Sequence, residues 1–298
     1  MIVKEEDIEK LKKAGKIASG ALKYAKEIIK PGESLLNAVN KIEARIKEQG
    51  GELAFPAQIS MNDVAAHFCP ASDDDTLFKD QLIKVDVGVH IDGFIADNAL
   101  TIDLSGKYEE LVKASREAVN NALKIVKPGV KLREIGKVIY ETITKYGFSP
   151  VRNLSGHGLD EYNIHSKPSV PNYDNGDETE LEEGQLIAIE PFATDGAGVV
   201  YESSNATIFS LINKRPVRMP IVRKVLNEID NFEGLPFTTR WLENKFSAGQ
   251  VRLALNQLLK ADIIKEYPPL IDKSHGMVSQ AEHTVIVKDE PIITTELD

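Results

Sequence analysis

Thirteen residues, VDVGVHIDGFIAD from Val85 to Asp97, place two carboxylates where they could share a cation. Val85, Val87, Val89 and Ile91 alternate with Asp86, Gly88, His90 and Asp92, the period of a strand, and Asp92-Gly93 suits a two-residue type I′ turn. With that turn Ile91 pairs with Phe94, Gly88 lies opposite Asp97, and Asp86 lies opposite Ala99. Asp86 and Asp97 then become diagonal neighbours on one face, with Cα atoms roughly 7–8 Å apart, and Gly88 leaves space beside Asp97. Two carboxylates in a half-buried pocket repel, so one takes a proton or a cation compensates both. A solvated hairpin with scattered Asp is the alternative that these residues alone leave open.

The elements that must position the hairpin come as a repeat. Ile8, Leu11, Ala14, Ile17, Ala18, Ala21, Leu22, Ala25, Ile28 and Ile29 recur at helical spacing until Pro31-Gly32. Ser34 can cap a second helix, with Leu35, Val39, Ile42 and Ile46 as its stripe and Gly50-Gly51 as its end. The design returns 97 residues later: Lys30-Pro31-Gly32, Leu35 and Gly50 coincide with Lys127-Pro128-Gly129, Leu132 and Gly147. Strands repeat too. QLIKVD ending at Asp86 recurs as QLIAIE ending at Glu190, and the stretch from Ala96 resembles that from Ala281, which makes Glu282 the counterpart of Asp97. Duplicated helix-helix-sheet halves bring equivalent strands together about a pseudo-twofold axis, so Asp86, Asp97, Glu190 and Glu282 converge, and four converging carboxylates demand multivalent cations.

The spacing between the second pair is opened by a segment of different character. From Leu211 to His275 there are 11 Lys and Arg against 7 Asp and Glu, in a chain of net charge -10. It holds a helix from Val222 to Asp230, a second after Thr239, a third through Val251, Leu255 and Leu258, and then Ile263 to Tyr267. Three short helices and a terminal hairpin predict a winged-helix-like module. The acidic balance of the whole argues against nucleic acid as the main partner, and the insert lacks a recognition helix rich in Lys and Arg. With 298 residues, 42% of them hydrophobic, the chain can bury a substantial core. No apolar run is long enough to span a bilayer, and a single Cys69 fits a reducing cytoplasm and reads as packing.

The remaining candidates are ambiguous one by one. His67 in AAHF reads as readily as a core histidine. His157 stands between Gly156 and Gly158, which suggests close backbone approach. Glu190 ends an apolar strand before Pro191, where an unpaired carboxylate is costly. Together, though, FPAQISMNDVAAHF, VDVGVHIDGFIADNA, SGHGLDEYNIH, IAIEPFA and QAEHTVIV stand in the order found in type 2 methionine aminopeptidases. The chain resembles that family over nearly its whole length, and the archaeal members more than the eukaryotic ones.

The resemblance implies an α+β, duplicated pita-bread fold. Its catalytic domain covers 1–208 plus 276–298, with pseudo-twofold halves of roughly 1–105 and 106–298, and a winged-helix-like subdomain is inserted at 209–275. It implies metal ligands at Asp86, Asp97, His157, Glu190 and Glu282. Catalytic roles fall to His67, His165 and Glu190, and Phe55, Ile164, His67 and His165 contact substrate. Two divalent ions, Mn, Fe, Co or Zn, are the implied cofactors. The implied activity is removal of the N-terminal methionine from peptides and nascent chains before a small second residue, by a cytoplasmic monomer with at most transient ribosome contact and no membrane or specific nucleic-acid partner. The competing readings are a proline-type aminopeptidase or dipeptidase of the same fold and a non-catalytic binding relative. The FPAQIS and AAHF regions argue against the first, and the complete ligand set argues against the second.

Overall fold

Four helices form where the apolar spacing places them, in a computed structural model that describes residues 1–203 and 205–296. They are α1 (Ile8–Ile28), α2 (Leu35–Glu48), α3 (Glu109–Leu123) and α4 (Leu132–Lys145). Ser204, Leu297 and Asp298, which fall within the expected catalytic portion, lie outside the described residues. The two helix pairs turn alike: Gly32 and Gly129 both adopt positive φ, 91° and 83°, which a side chain would strain. Ser34 Oγ accepts from the Asn37 amide at the start of α2, as its position predicts.

The helices cover one face of a single curled antiparallel sheet. Its central order is Glu52–Leu53, Leu82–Ile91, Phe94–Asp103, Glu282–Ile286, Leu186–Ile189, Ser155–Asp160 and Asn163–Pro171. Val85, Val87, Val89, Ala96 and Leu100 pack under α1 and α2. Ile187, Ile189 and Val285 pack under α3 and α4. Each fully buried Val, Leu or Ile among them is worth about 1.5–3 kcal/mol relative to exposure, so register is strongly specified: a slip of one residue would turn these side chains out and the carboxylates in.

The halves join at the middle of the sheet, where Glu282 pairs with Ala99 and His283 with Asn98. Asp97 therefore comes opposite Thr284, and the Thr284 hydroxyl bonds both the Asp97 amide (2.7 Å) and its carbonyl (2.8 Å). Equivalent residues of the repeat thus pair crosswise, which is the register of a twofold axis between the two strands. The pita-bread, duplicated α+β architecture is the observed one.

The segment expected as an insert forms α5 (Pro220–Ile229), α6 (Thr239–Glu243) and α7 (Ala248–Lys260) around a core that includes Val222, Val225, Leu255, Leu258 and Ile264. Its last strand, Ile264–Tyr267, does not close a hairpin with the strand after it. It pairs with Ile208–Leu211, while Leu270–Asp272 joins a separate sheet. Pro268-Pro269 explains the difference, since two residues without N–H groups cannot continue a ladder back on the strand they leave. Among the described residues no helix is long and apolar enough to cross a membrane.

Candidate metal centre and substrate cavity

Strand pairing alone decides which side chains face one another. The hairpin has the register its turn chemistry predicts: Asp86 pairs with Ala99, Gly88 with Asp97 and Ile91 with Phe94. Asp92 and Gly93 both have positive φ, 50° and 85°. Because directly paired residues share a face and faces alternate with period two, Asp86, Asp97, Ala99 and Glu282 all point away from the helices. Ala188 pairs with both Thr284 and His157, which brings Glu190 and His157 to that same face.

The result is a cluster open to one cavity. Ligand atoms of Asp97, His157 and Glu282 lie within 4.8 Å of one another. His157 Nε2 is 3.7 Å from Asp97 Oδ2 and 3.5 Å from Glu190 Oε1. Its Nδ1 lies 3.2 Å from the Gly158 carbonyl, a contact that puts the ring proton on Nδ1 and leaves the Nε2 lone pair for the cluster. Gly156 and Gly158 are required beside it, since a Cβ at either would meet a backbone carbonyl at 2.3 or 2.0 Å.

Burial sets the charges. It raises Asp86 to about 7. Asp97 and Glu190 are held well above the ordinary carboxylate range by burial and then by the Asp86 charge, and Glu282 by burial and then by Asp97. Burial also lowers His157 and His67 to about 4, leaving both neutral, and loss of hydration beside His157 holds His165 low as well. Asp86 Oδ1, Asp97 Oδ1 and Glu282 Oε1 are buried without a hydrogen-bond partner among the described residues. Buried carboxylate oxygens left unpaired are costly. A divalent cation fits this donor set and satisfies all three.

Around the carboxylates the cavity is lined by Phe55, His67, Ile164 and His165, so every candidate residue of the sequence lies on it. His165 packs edge-on to His157, ring centroids 4.7 Å apart. The Gly88 space is not left beside Asp97 but filled by Phe55, whose nearest ring atom lies 2.1 Å from where a Cβ at 88 would stand. His67 sits at φ 65° with its amide held by Gln58 Oε1 at 2.7 Å. Cys69 is buried and its thiol is pushed up to about 11, which suits packing and not nucleophilic work.

Gln58, Ile208, Pro236 and Tyr267 also line the cavity, and sequence reasoning did not single them out. Tyr267 stands 5.6 Å from His67 and 6.0 Å from His165 between ring centroids. Gln280, in turn, donates to Asp86 Oδ2 at 3.4 Å. Gln58 and Gln280 sit inside the FPAQIS and QAEHTVIV motifs and could have been found there. Nothing local marks the three residues from the insert and its flanks.

Comparison with known proteins agrees with this geometry. The pattern of metallopeptidase family M24 matches residues 9–228. The chain is similar to the methionine aminopeptidase of Thermococcus onnurineus, 47% identical over 288 residues that span 96% of this chain and 98% of that one. It is similar to methionine aminopeptidase 2 of Schizosaccharomyces pombe, 37% identical over 93% of this chain and 70% of the other. The crystal structure of a methionine aminopeptidase from Thermotoga maritima superposes with a TM-score of 0.72 at 23% identity, covering 99% of each chain, a likeness of fold.

Proposed function

The chain belongs to metallopeptidase family M24 and, within it, to the methionine aminopeptidases, and from that membership we propose how its cavity releases an N-terminal methionine. The observation that carries the reading is the set of partnerless carboxylate oxygens beside a neutral His157, at the floor of a cavity walled by Phe55 and Ile164. Asp86, Asp97, His157, Glu190 and Glu282 would hold the two divalent ions. When bound, two ions supply an activated water and stabilise the developing oxyanion.

The chain's own residues do the rest. Glu190, raised by burial, carries a proton from the attacking water to the leaving amine. His67 and His165, neutral at working pH, donate to the carbonyl oxygen of the scissile peptide. Phe55 and Ile164 accept the methionine side chain by shape and polarizability, since a thioether hydrogen-bonds weakly. Tyr267 and the insert crowd the mouth beside His165 and favour a small second residue. Residues 209–275 act as a subdomain with its own core that finishes this mouth, and the lone buried Cys69 supports a reducing, cytoplasmic setting.

The test is to strip the protein with chelator, restore single metals, and compare peptides beginning Met-Ala, Met-Lys, Leu-Ala and Ala-Pro. Metal-restored release of methionine, faster from Met-Ala than from Met-Lys, is expected. Preference for Ala-Pro would transfer the assignment to a proline-type peptidase.

A further inference from the structure

One carboxylate outside the metal cluster ties together α2, α6 and the segment that carries Phe55 and Gln58. Glu43, on α2, is buried, as is Arg240 on α6. Arg240 reaches it through both ends of its fork: Nη1 donates to Oε2 at 3.0 Å and Nη2 to Oε1 at 2.7 Å. Trp241 Nε1 donates to Oε2 at 3.0 Å, and the Ala57 amide donates to Oε1 at 3.3 Å. Asn40 Oδ1 takes a further bond from Arg240 Nη1 at 2.8 Å.

The location of these bonds matters more than their number. Ala57 lies between Phe55 and Gln58, both on the cavity. Arg240 follows Pro236 and the strand Phe237–Thr238, whose Thr238 pairs with Ile208, and Ile208 pairs with Tyr267. Pro236, Ile208 and Tyr267 are the insert side of the wall. Arg240 Nη2 also lies 3.8 Å from Cys69 Sγ, two residues beyond His67, and Thr207 Oγ1 donates to the Cys69 carbonyl at 2.6 Å.

We propose that Glu43 and Arg240 are positioning residues that set the width of the methionine pocket by fixing the insert wall against the Phe55 wall. A buried ion pair is a weak source of stability compared with apolar packing of the same volume. A bidentate fork does fix distance and orientation, which apolar packing alone leaves adjustable. The pair thus contributes geometry to selection of the first side chain, and the proposal rests on the reading that the cavity accepts methionine.

The experiment uses the full chain with Glu43→Gln, Arg240→Lys and the milder Asn40→Ala, each checked for folding by circular dichroism. Metal-loaded protein is assayed on peptides beginning Met, norleucine and Leu. Glu43→Gln and Arg240→Lys are expected to raise KM for the Met peptide while kcat moves little, and to cut the preference for Met over Leu about tenfold, the discrimination a methylene-sized change of an apolar pocket carries. Asn40→Ala is expected to shift that preference in the same direction by less.

Trp241 is the only tryptophan and touches Glu43, so its emission gives a readout besides turnover. Free methionine is expected to shift it in the wild type and to do so only at higher concentration in Glu43→Gln. A folded Glu43→Gln or Arg240→Lys protein with an unchanged Met-to-Leu ratio overturns the proposal. So does failure of both to fold, which assigns the pair a purely structural task. A wild type that releases no methionine from any peptide defeats the reaction instead, and the emission titration then still reports on the pocket.

Discussion

Nε2 of His157 lies 3.7 Å from Oδ2 of Asp97, contributed by the opposite half of the repeat. Burial keeps this imidazole neutral down to about pH 4, so near neutrality the contact is not an ion pair but one electron-rich atom facing another. Glu190 approaches the same nitrogen at 3.5 Å. Such an arrangement is favourable only with protons or a cation among the donors. Replacing Asp97 by Asn is therefore expected to reduce activity more than about 100-fold, beyond the 10–100-fold that losing even an outer partner of a metal site brings. The same change should raise the melting temperature of the metal-free protein, about 2–4 °C for each kcal/mol of relieved repulsion in a chain of this size. Peptide turnover checks the first and scanning calorimetry with and without chelator the second, and a lower metal-free melting point for the variant would be evidence against the cluster.

Metal uptake is expected to release protons. Asp86 is raised to about 7, and Asp97, Glu190 and Glu282 are held well above the ordinary carboxylate range by burial and then by neighbouring carboxylates. A group whose folded pKa lies above its unfolded value stabilises the metal-free fold at low pH and loses that contribution as pH climbs through the folded value. Metal-free stability from Asp86 thus declines from the ordinary carboxylate range up through about 7, with the other three acting in the same direction, and affinity for the ion rises over the same window, about tenfold per pH unit for each proton displaced. His157, lowered from 6.5 to about 4, opposes this decline in stability between those two values. Calorimetric titration with manganese in buffers of different ionisation enthalpy counts the protons, and an affinity independent of pH between 6 and 8 would contradict the assignment.

Gly88→Ala should act on the pocket and spare the metals. Its Cβ would stand 2.1 Å from Phe55 Cε1, so the ring must move. Overpacking of this kind costs about 1–3 kcal/mol, and KM for Met peptides is expected to rise while metal affinity holds. Adding Phe55→Ala removes the clash, so the double variant should be more stable than the sum of the singles. Additivity of the two would show that the contact is unimportant.

Gln58→Ala should misplace His67. The Gln58 side chain holds the amide of a residue at φ 65°, a conformation that a non-glycine residue keeps only when its surroundings fix it. Expected is a drop in kcat of about 10- to 100-fold, the order that small misplacement of a catalytic group produces, with metal binding unchanged. Steady-state kinetics beside a metal titration separates these. His67 titrates near 4, so loss of activity between pH 7 and 5 should come from proton competition at the carboxylates and not from this ring.

Sequence alone determined what local rules control. Alternation of apolar residues and an Asp92-Gly93 turn fixed the hairpin register to the residue, because the side-chain period of a strand is two and a two-residue turn leaves no slack. Helix periodicity and the Pro-Gly breaks set α1 to α4, and the internal repeat brought the four carboxylates to one face. The family motifs supplied His67, His157 and His165. Tertiary structure decided what depends on chain segments approaching from far away. It put Phe55 into the space at Gly88, and it carried Ile208, Pro236 and Tyr267 to the cavity lining. It also buried Glu43 against Arg240. No period or spacing encodes those contacts, because they are set by how the insert docks on α2, a packing of surfaces whose residues are about 200 positions apart.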